Sequence, residues 1–286
     1  MTSAALESGP SARAHHLPAA GLAVVVVALL VLLPEVLGDL GRLAAVLILQ
    51  LGLVLAWVLV TGIQGFAGSL AVGAAAAVTA DLLLGLPARP MLGSLLAVFG
   101  VGFLAIVVQQ MFRRPRHDLV ASLSGGVLLV TVIGALASLL LLGRSAAGPG
   151  RVVVALLAVG AALVVGHLVD LALPRPQLAF EVPRGLVGLF LAVLAGAAVT
   201  FLGRDAGTVL DGVAAVVYGA VLGIVASLTA LAASYVVVAA NGEDAPEGDD
   251  GRACEPRFSA WALPLIQVVL PLAACAPVAL AMQTVL

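Results

Sequence analysis

Leu119–Leu142 reads LVASLSGGVLLVTVIGALASLLLL, an unbroken run of apolar and small residues without one charge. A helix of about 20 such residues crosses the hydrocarbon core of a bilayer, so this stretch is long enough to span it. In water it would have no solvated face, and inside lipid only a helix or a closed barrel satisfies every backbone N–H and C=O. Its flanks fit a crossing: Arg113-Arg114-Pro115-Arg116-His117 lies just before it and Arg144 just after.

Working outward, comparable runs occupy 18–37, 43–61, 66–86, 91–111, 152–173, 185–203, 209–240 and 260–285. Together with the first they predict an all-α polytopic membrane protein of about nine transmembrane helices. Composition agrees. The chain has 286 residues, 63% hydrophobic and 10% charged, with mean hydropathy +1.23, whereas soluble domains are about 45–50% apolar and about 25% charged. The run at 18–37 reads as an uncleaved first span, because Pro34, Glu35 and Asp39 make a natural interfacial loop before the next one. The predicted organisation is a cytoplasmic N-terminal tail at 1–17, a helical bundle at 18–240, an acidic flexible linker at 241–259 and a proline-rich C-terminal span at 260–286.

Charge sets the orientation and excludes several activities. All 13 basic residues are Arg, so no lysine Schiff base or lysine general base exists. A net charge of −2 supplies no basic stripe, and nucleic acid is not an expected partner. Short loops rich in arginine stay cytoplasmic. Arg13, Arg113, Arg114, Arg116, Arg175, Arg184, Arg252 and Arg257 fall on the N-terminal side, against Arg42, Arg89, Arg144, Arg151 and Arg204 opposite. The expected placement is a multi-pass protein of a bacterial inner membrane with a cytoplasmic N-terminus. Cys254 and Cys275 make no CxxC, so neither a zinc site nor a disulfide framework is expected.

Three regions depart from uniform apolarity. Asn241–Glu255 carries Glu243, Asp244, Glu247, Asp249, Asp250 and Glu255, too polar to bury itself and without the register of a calcium loop. Pro264, Pro271 and Pro277 should kink or interrupt the last span. Gly219-Ala-Val-Leu-Gly223 permits close helix approach, as do Gly65, Gly68 and Gly73, without specifying a dimer face.

Ionisable groups within spans are costly and hence candidates for function. Asp81 and Asp211 lie near span ends and can reach the interface. His167 and Asp170, spaced i,i+3, share a helical face near the cytoplasmic end of the sixth span. Such a pair can be a structural hydrogen bond, part of an active site or one side of a metal site, though two ligands are too few for a dedicated cage. Arg175 and Arg184 in the following loop either anchor the helix end or contact lipid headgroups, since the planar guanidinium suits phosphate. His167, Asp170, Arg175 and Arg184 form the candidate polar site; no catalytic residue, metal site or cofactor is assigned. The expected partners are the bilayer, lipid headgroups or another membrane protein. No internal repeat is visible in the sequence.

From Asp118 to Ala240 the order of features resembles the bacterial phosphatidate cytidylyltransferases, the CDP-diacylglycerol synthases. In that family an arginine-rich loop enters a span, as Arg113–Ser122 does here. A later span ends in an Asp-x-x-x-Tyr element, to which His167-Leu-Val-Asp170-Leu-Ala-Leu-Pro174 is similar. A Ser-Pro-Lys-Lys loop follows, matched by Val182-Pro183-Arg184-Gly185. Two spans on, Gly-Asp-Leu-x-Glu-Ser-x-x-Lys-Arg corresponds to Thr229-Ala-Leu-Ala-Ala-Ser234-Tyr-Val-Val-Val238. The resemblance implies a helical lipid-enzyme fold, yet of the family's polar and proline positions only Asp170, Pro183 and Ser234 keep the residue, and Arg184 keeps a positive charge. Ala230 and Ala233 stand for acids and Val237-Val238 for the basic pair. The family's terminal Pro-Gly-His-Gly-Gly-x-x-Asp-Arg element has no counterpart. Nucleotidyl transfer needs metal and cations around the phosphates, so the resemblance implies a non-catalytic relative, with a lipid-modifying enzyme or a transporter as the alternatives.

Overall fold

The computed structural model describes residues 12–61, 65–87, 90–114, 118–144, 148–173, 176, 184–205, 211–242, 261–283 and 285. These form eight α-helices: α1 Ala12–Thr61, α2 Phe66–Gly85, α3 Leu95–Phe112, α4 Leu119–Leu142, α5 Gly148–Ala172, α6 Leu186–Leu202, α7 Gly212–Gly242 and α8 Ala262–Met282. A single 3-10 turn, Leu92–Ser94, leads into α3. No strand occurs among the described residues. The protein is an all-α multi-pass membrane protein; among the described residues seven helices are long and apolar enough to cross a bilayer.

Eight helical elements stand where nine were expected because the first two apolar runs meet without a loop: α1 consists of two helices joined at Gly38. Gly38 takes φ 60°, ψ −137°, a conformation open to glycine because it lacks Cβ. The chain folds back there. A Cβ on Gly41 would strike the Leu33 carbonyl, although eight residues of continuous helix would separate the two by about 12 Å. The long run at 209–240 is one helix, α7, of 31 residues, and α6, with 17 residues, is the shortest. Helix α8 passes through Pro271 and Pro277 without ending; its packing on α1, α4 and α7 outweighs the lost hydrogen bonds.

The two arms of α1 organise the bundle. Along the first arm, His16 meets His167 and Val27 meets Gly160, so this arm runs antiparallel to α5. Along the second, Leu43 meets Gly85 and Val54 meets Gly73, antiparallel to α2. Since the arms oppose each other, α2 and α5 also run in opposite directions. Helices α2, α3 and α4 pack mutually, as do α5, α6 and α7; α1 touches the first helix of each trio and α8 the last. The two trios thus run in opposite directions.

Where lipid is as apolar as a leucine side chain, helix association rests on close packing of small residues and on interhelical hydrogen bonds. The Gly219/Gly223 motif is used inside the chain: Gly219 lies against Gly196 and Thr200 of α6, and Gly223 against Val193. Thr200 Oγ1 donates to the Ala215 carbonyl at 2.6 Å, tying α6 to α7. At the Gly38 end, Arg42 pairs with Asp39 at 2.9 Å. Arg144 donates to the carbonyls of Gly85 and Pro87 at 2.6 and 3.0 Å, closing the C-terminal end of α2.

Candidate functional site

The end of the bundle opposite Gly38 holds a buried polar chain. Helix α5 places His167 and Asp170 on its inner face, at 0% and 1% exposure. Arg184, two residues before α6, turns inward and is also buried. Its Nε donates to Ser234 Oγ of α7 at 2.9 Å, and a second guanidinium nitrogen lies 3.3 Å from His167 Nε2. The third side of the guanidinium stands 3.6 Å from an Asp170 oxygen. The other Asp170 oxygen accepts the Gly185 backbone N–H at 2.9 Å. That bond satisfies a donor at the entry to α6, where the helix has no intrahelical acceptor to offer. His167 Nδ1 is 3.2 Å from His16 Nδ1 on α1, and Ser234 returns its own proton to the Ala230 carbonyl at 2.9 Å.

Glycines make this approach possible. Gly188 faces the Asp170 carboxyl so closely that a Cβ would overlap it, and Gly166 lies against Ala192. Without side chains there, α5 and α6 come near enough for the α5 carboxyl to reach the α6 entry. Burial lowers the Arg184 guanidinium to about 10, opposed by the Asp170 carboxyl, which leaves it charged at neutral pH. A buried ion pair of this kind costs desolvation and returns it only when the remaining donors are satisfied. Here Ser234, His167 and Asp170 face the guanidinium on three sides, the carboxylate at 3.6 Å.

The arrangement brings His167, Asp170 and Arg184 of the candidate site together. Arg184 is what joins the other two, and His167 continues to His16 across the bundle. Sequence reading placed His16 in the tail; a histidine at the lip of an apolar run was the one available signal. Ser234 was noticed only through the resemblance. Arg175 and the Asn241–Glu255 linker's acids from Glu243 onward lie outside the described residues. Among the described residues, no three His, Cys, Asp or Glu side chains stand close enough to hold a metal. The cleft lined by Asp170, Arg184, Gly185 and Gly188 has a volume of about 10 Å³, room for one water.

Two other acids take different places. Asp211 is exposed and accepts the Ala214 N–H at 2.7 Å, a helix N-cap for α7. Asp81 does not reach the interface, contrary to expectation: it is 2% exposed and turned into the bundle. Cys275 is buried and free, with its thiol directed at the Leu222 carbonyl.

No protein-family profile matches the chain, and no curated protein matches it.

Proposed function

We propose that the chain is a non-catalytic component of a bacterial inner membrane, a degenerate relative of the phosphatidate cytidylyltransferases that serves as a structural or partner-binding unit, its N-terminus in the cytoplasm. The observation that carries this reading is the closed state of the polar cluster. Arg184, which keeps the charge of a family lysine, joins Asp170 to Ser234, which keep the family residue, and all three are engaged in internal bonds, with space for a single water between the helices. A phosphoryl-transfer site needs the reverse, cations and carboxylates held open toward phosphates and metal. In this reading an ancestral site has become a fastener between α1, α5, α6 and α7.

The test is a pair of measurements on purified protein in lipid. CTP binding, and CTP turnover with phosphatidate and magnesium, are expected to be absent. Turnover that disappears in Asp170→Asn would establish a lipid enzyme instead. A transporter is the second reading, favoured by the two opposed three-helix units, since inverted repeats underlie many alternating-access folds. It predicts two interconverting spacings between α3 and α6 by spin-label distance measurement, whereas a fastener predicts one.

A further inference from the structure

At the Gly38 end the start of the second α1 arm, the chain leaving α2 and the ends of α4 and α8 surround a cavity of about 730 Å³. That is within the size range of small-molecule sites, whereas the cleft beside Asp170 holds one water. Its wall is of two kinds. Leu86, Leu141 and Leu280 are apolar, while Asp39 and Arg144 bring charge to the same space. Arg42 adds a third charged group: its guanidinium lies where a Cβ on Gly143, another wall residue, would stand. The absence of a side chain at Gly143 is therefore what lets Arg42 lie beside Arg144.

These charges do not cancel. Asp39 pairs with Arg42 at 2.9 Å, and Arg144 stands 4.0 Å from the other Asp39 oxygen. Arg144 donates to the Gly85 and Pro87 carbonyls, which hold it in place but carry no formal charge. Two guanidiniums thus share one carboxylate, and one positive charge is left over on a side chain still 30% exposed. Asp39 and Arg42 open the second arm of α1 and Arg144 follows α4, so the excess lies at helix ends, the level of the headgroups. We propose that this cavity binds a phospholipid with a singly negative headgroup, its phosphodiester on Arg42 and Arg144 and the start of its apolar chains against Leu86, Leu141 and Leu280. The planar guanidinium donors suit phosphate oxygens. One phosphodiester charge neutralises the site, whereas a zwitterionic lipid would bring a further cation to two arginines. The site lies at the opposite end of the bundle from the Arg184 cluster and does not depend on that cluster's role.

Native mass spectrometry of the full chain, released from neutral detergent with added phosphatidylglycerol or phosphatidylcholine, tests this. Phosphatidylglycerol should be retained in preference to phosphatidylcholine. Arg144→Gln should weaken its retention at least about tenfold, as loss of a charge-assisted bond does. Asp39→Asn should strengthen it about two- to fivefold, because an exposed like charge is removed from beside the phosphate. Arg204→Gln, which deletes a charge at the same end of the bundle but outside the cavity, should leave it unchanged. Where Arg144→Gln folds poorly, the gain in Asp39→Asn decides. Equal retention of the two lipids, equal losses in Arg144→Gln and Arg204→Gln, or no gain in Asp39→Asn overturns the proposal. So does a melting temperature raised as much by glycerol phosphate as by phosphatidylglycerol, which would make the ligand a soluble phosphate.

Discussion

Neutralising one member of the Asp170–Arg184 pair should cost far more than neutralising both. In Asp170→Asn the shape is kept and the amide oxygen can still accept the Gly185 N–H, but the Arg184 charge is left buried with no carboxylate. Removing one partner of a buried ion pair costs about 3–5 kcal/mol, and the retained bond puts this variant near the lower end. Arg184→Met strands the Asp170 carboxylate and also removes the donor to Ser234, so it belongs near the upper end. Both groups are almost wholly shielded from solvent, at 1% and 7% exposure, so screening does not reduce these figures. The double variant carries no charge in the cluster, and replacing a buried pair by uncharged side chains of similar size is often close to neutral. The expected coupling is therefore at least about 2 kcal/mol. Denaturant-titrated unfolding of the four proteins in mixed micelles supplies the cycle. A double variant whose loss equals the sum of the single losses, or an Asp170→Asn loss below about 1 kcal/mol, would refute the picture of Arg184 as the hub.

Two further predictions concern packing and orientation. Gly219→Val would drive a side chain into the Gly196 carbonyl and Thr200 and should cost about 1–3 kcal/mol, while Gly100→Ala, with open space around its Cβ, should be neutral or slightly stabilising; melting temperatures compare them. Arg114→Cys, after α3, and Arg204→Cys, after α6, should react with an impermeant thiol reagent from opposite faces of the membrane, and labelling of both from one face would overturn the proposed orientation.

The helices were easy to read from sequence where an apolar run is bounded by charge or glycine. Leu119–Leu142, between the Arg113 cluster and Arg144, was bounded to the residue. The Gly38 reversal was read as a loop, because Pro34, Glu35 and Asp39 look interfacial; α1 instead keeps helical structure up to a single glycine. What was not legible is which side of each helix faces inward. In lipid the outer and inner faces are equally apolar, so a polar residue's direction leaves no periodic trace. Hence Asp81 looked interfacial while it is internal, and Asp170 looked paired with the histidine three residues before it while its partners are Arg184 and Gly185. Those partners come from the α5–α6 connection and are brought close by Gly188, a residue indistinguishable in sequence from the chain's other glycines.

The central place of α8 has a consequence for biosynthesis. Its inward side chains Ile266, Val268 and Val269 are completely buried against helices made earlier. During synthesis α1, α4 and α7 are already in the membrane before the segment that fills the space between them emerges. Each trio can assemble from neighbouring helices and α1 joins them on one side, but the other side, where α8 meets α4 and α7, waits for the last helix, whose contacts with α1 and α4 are distant in sequence and of the kind that form slowly. Until then the half-made bundle presents an open seam to lipid, chaperones and proteases. The seam closes only when α8 inserts, so a ribosome stalled before Ala262 would release a chain recognisable as unfinished by the gap it carries.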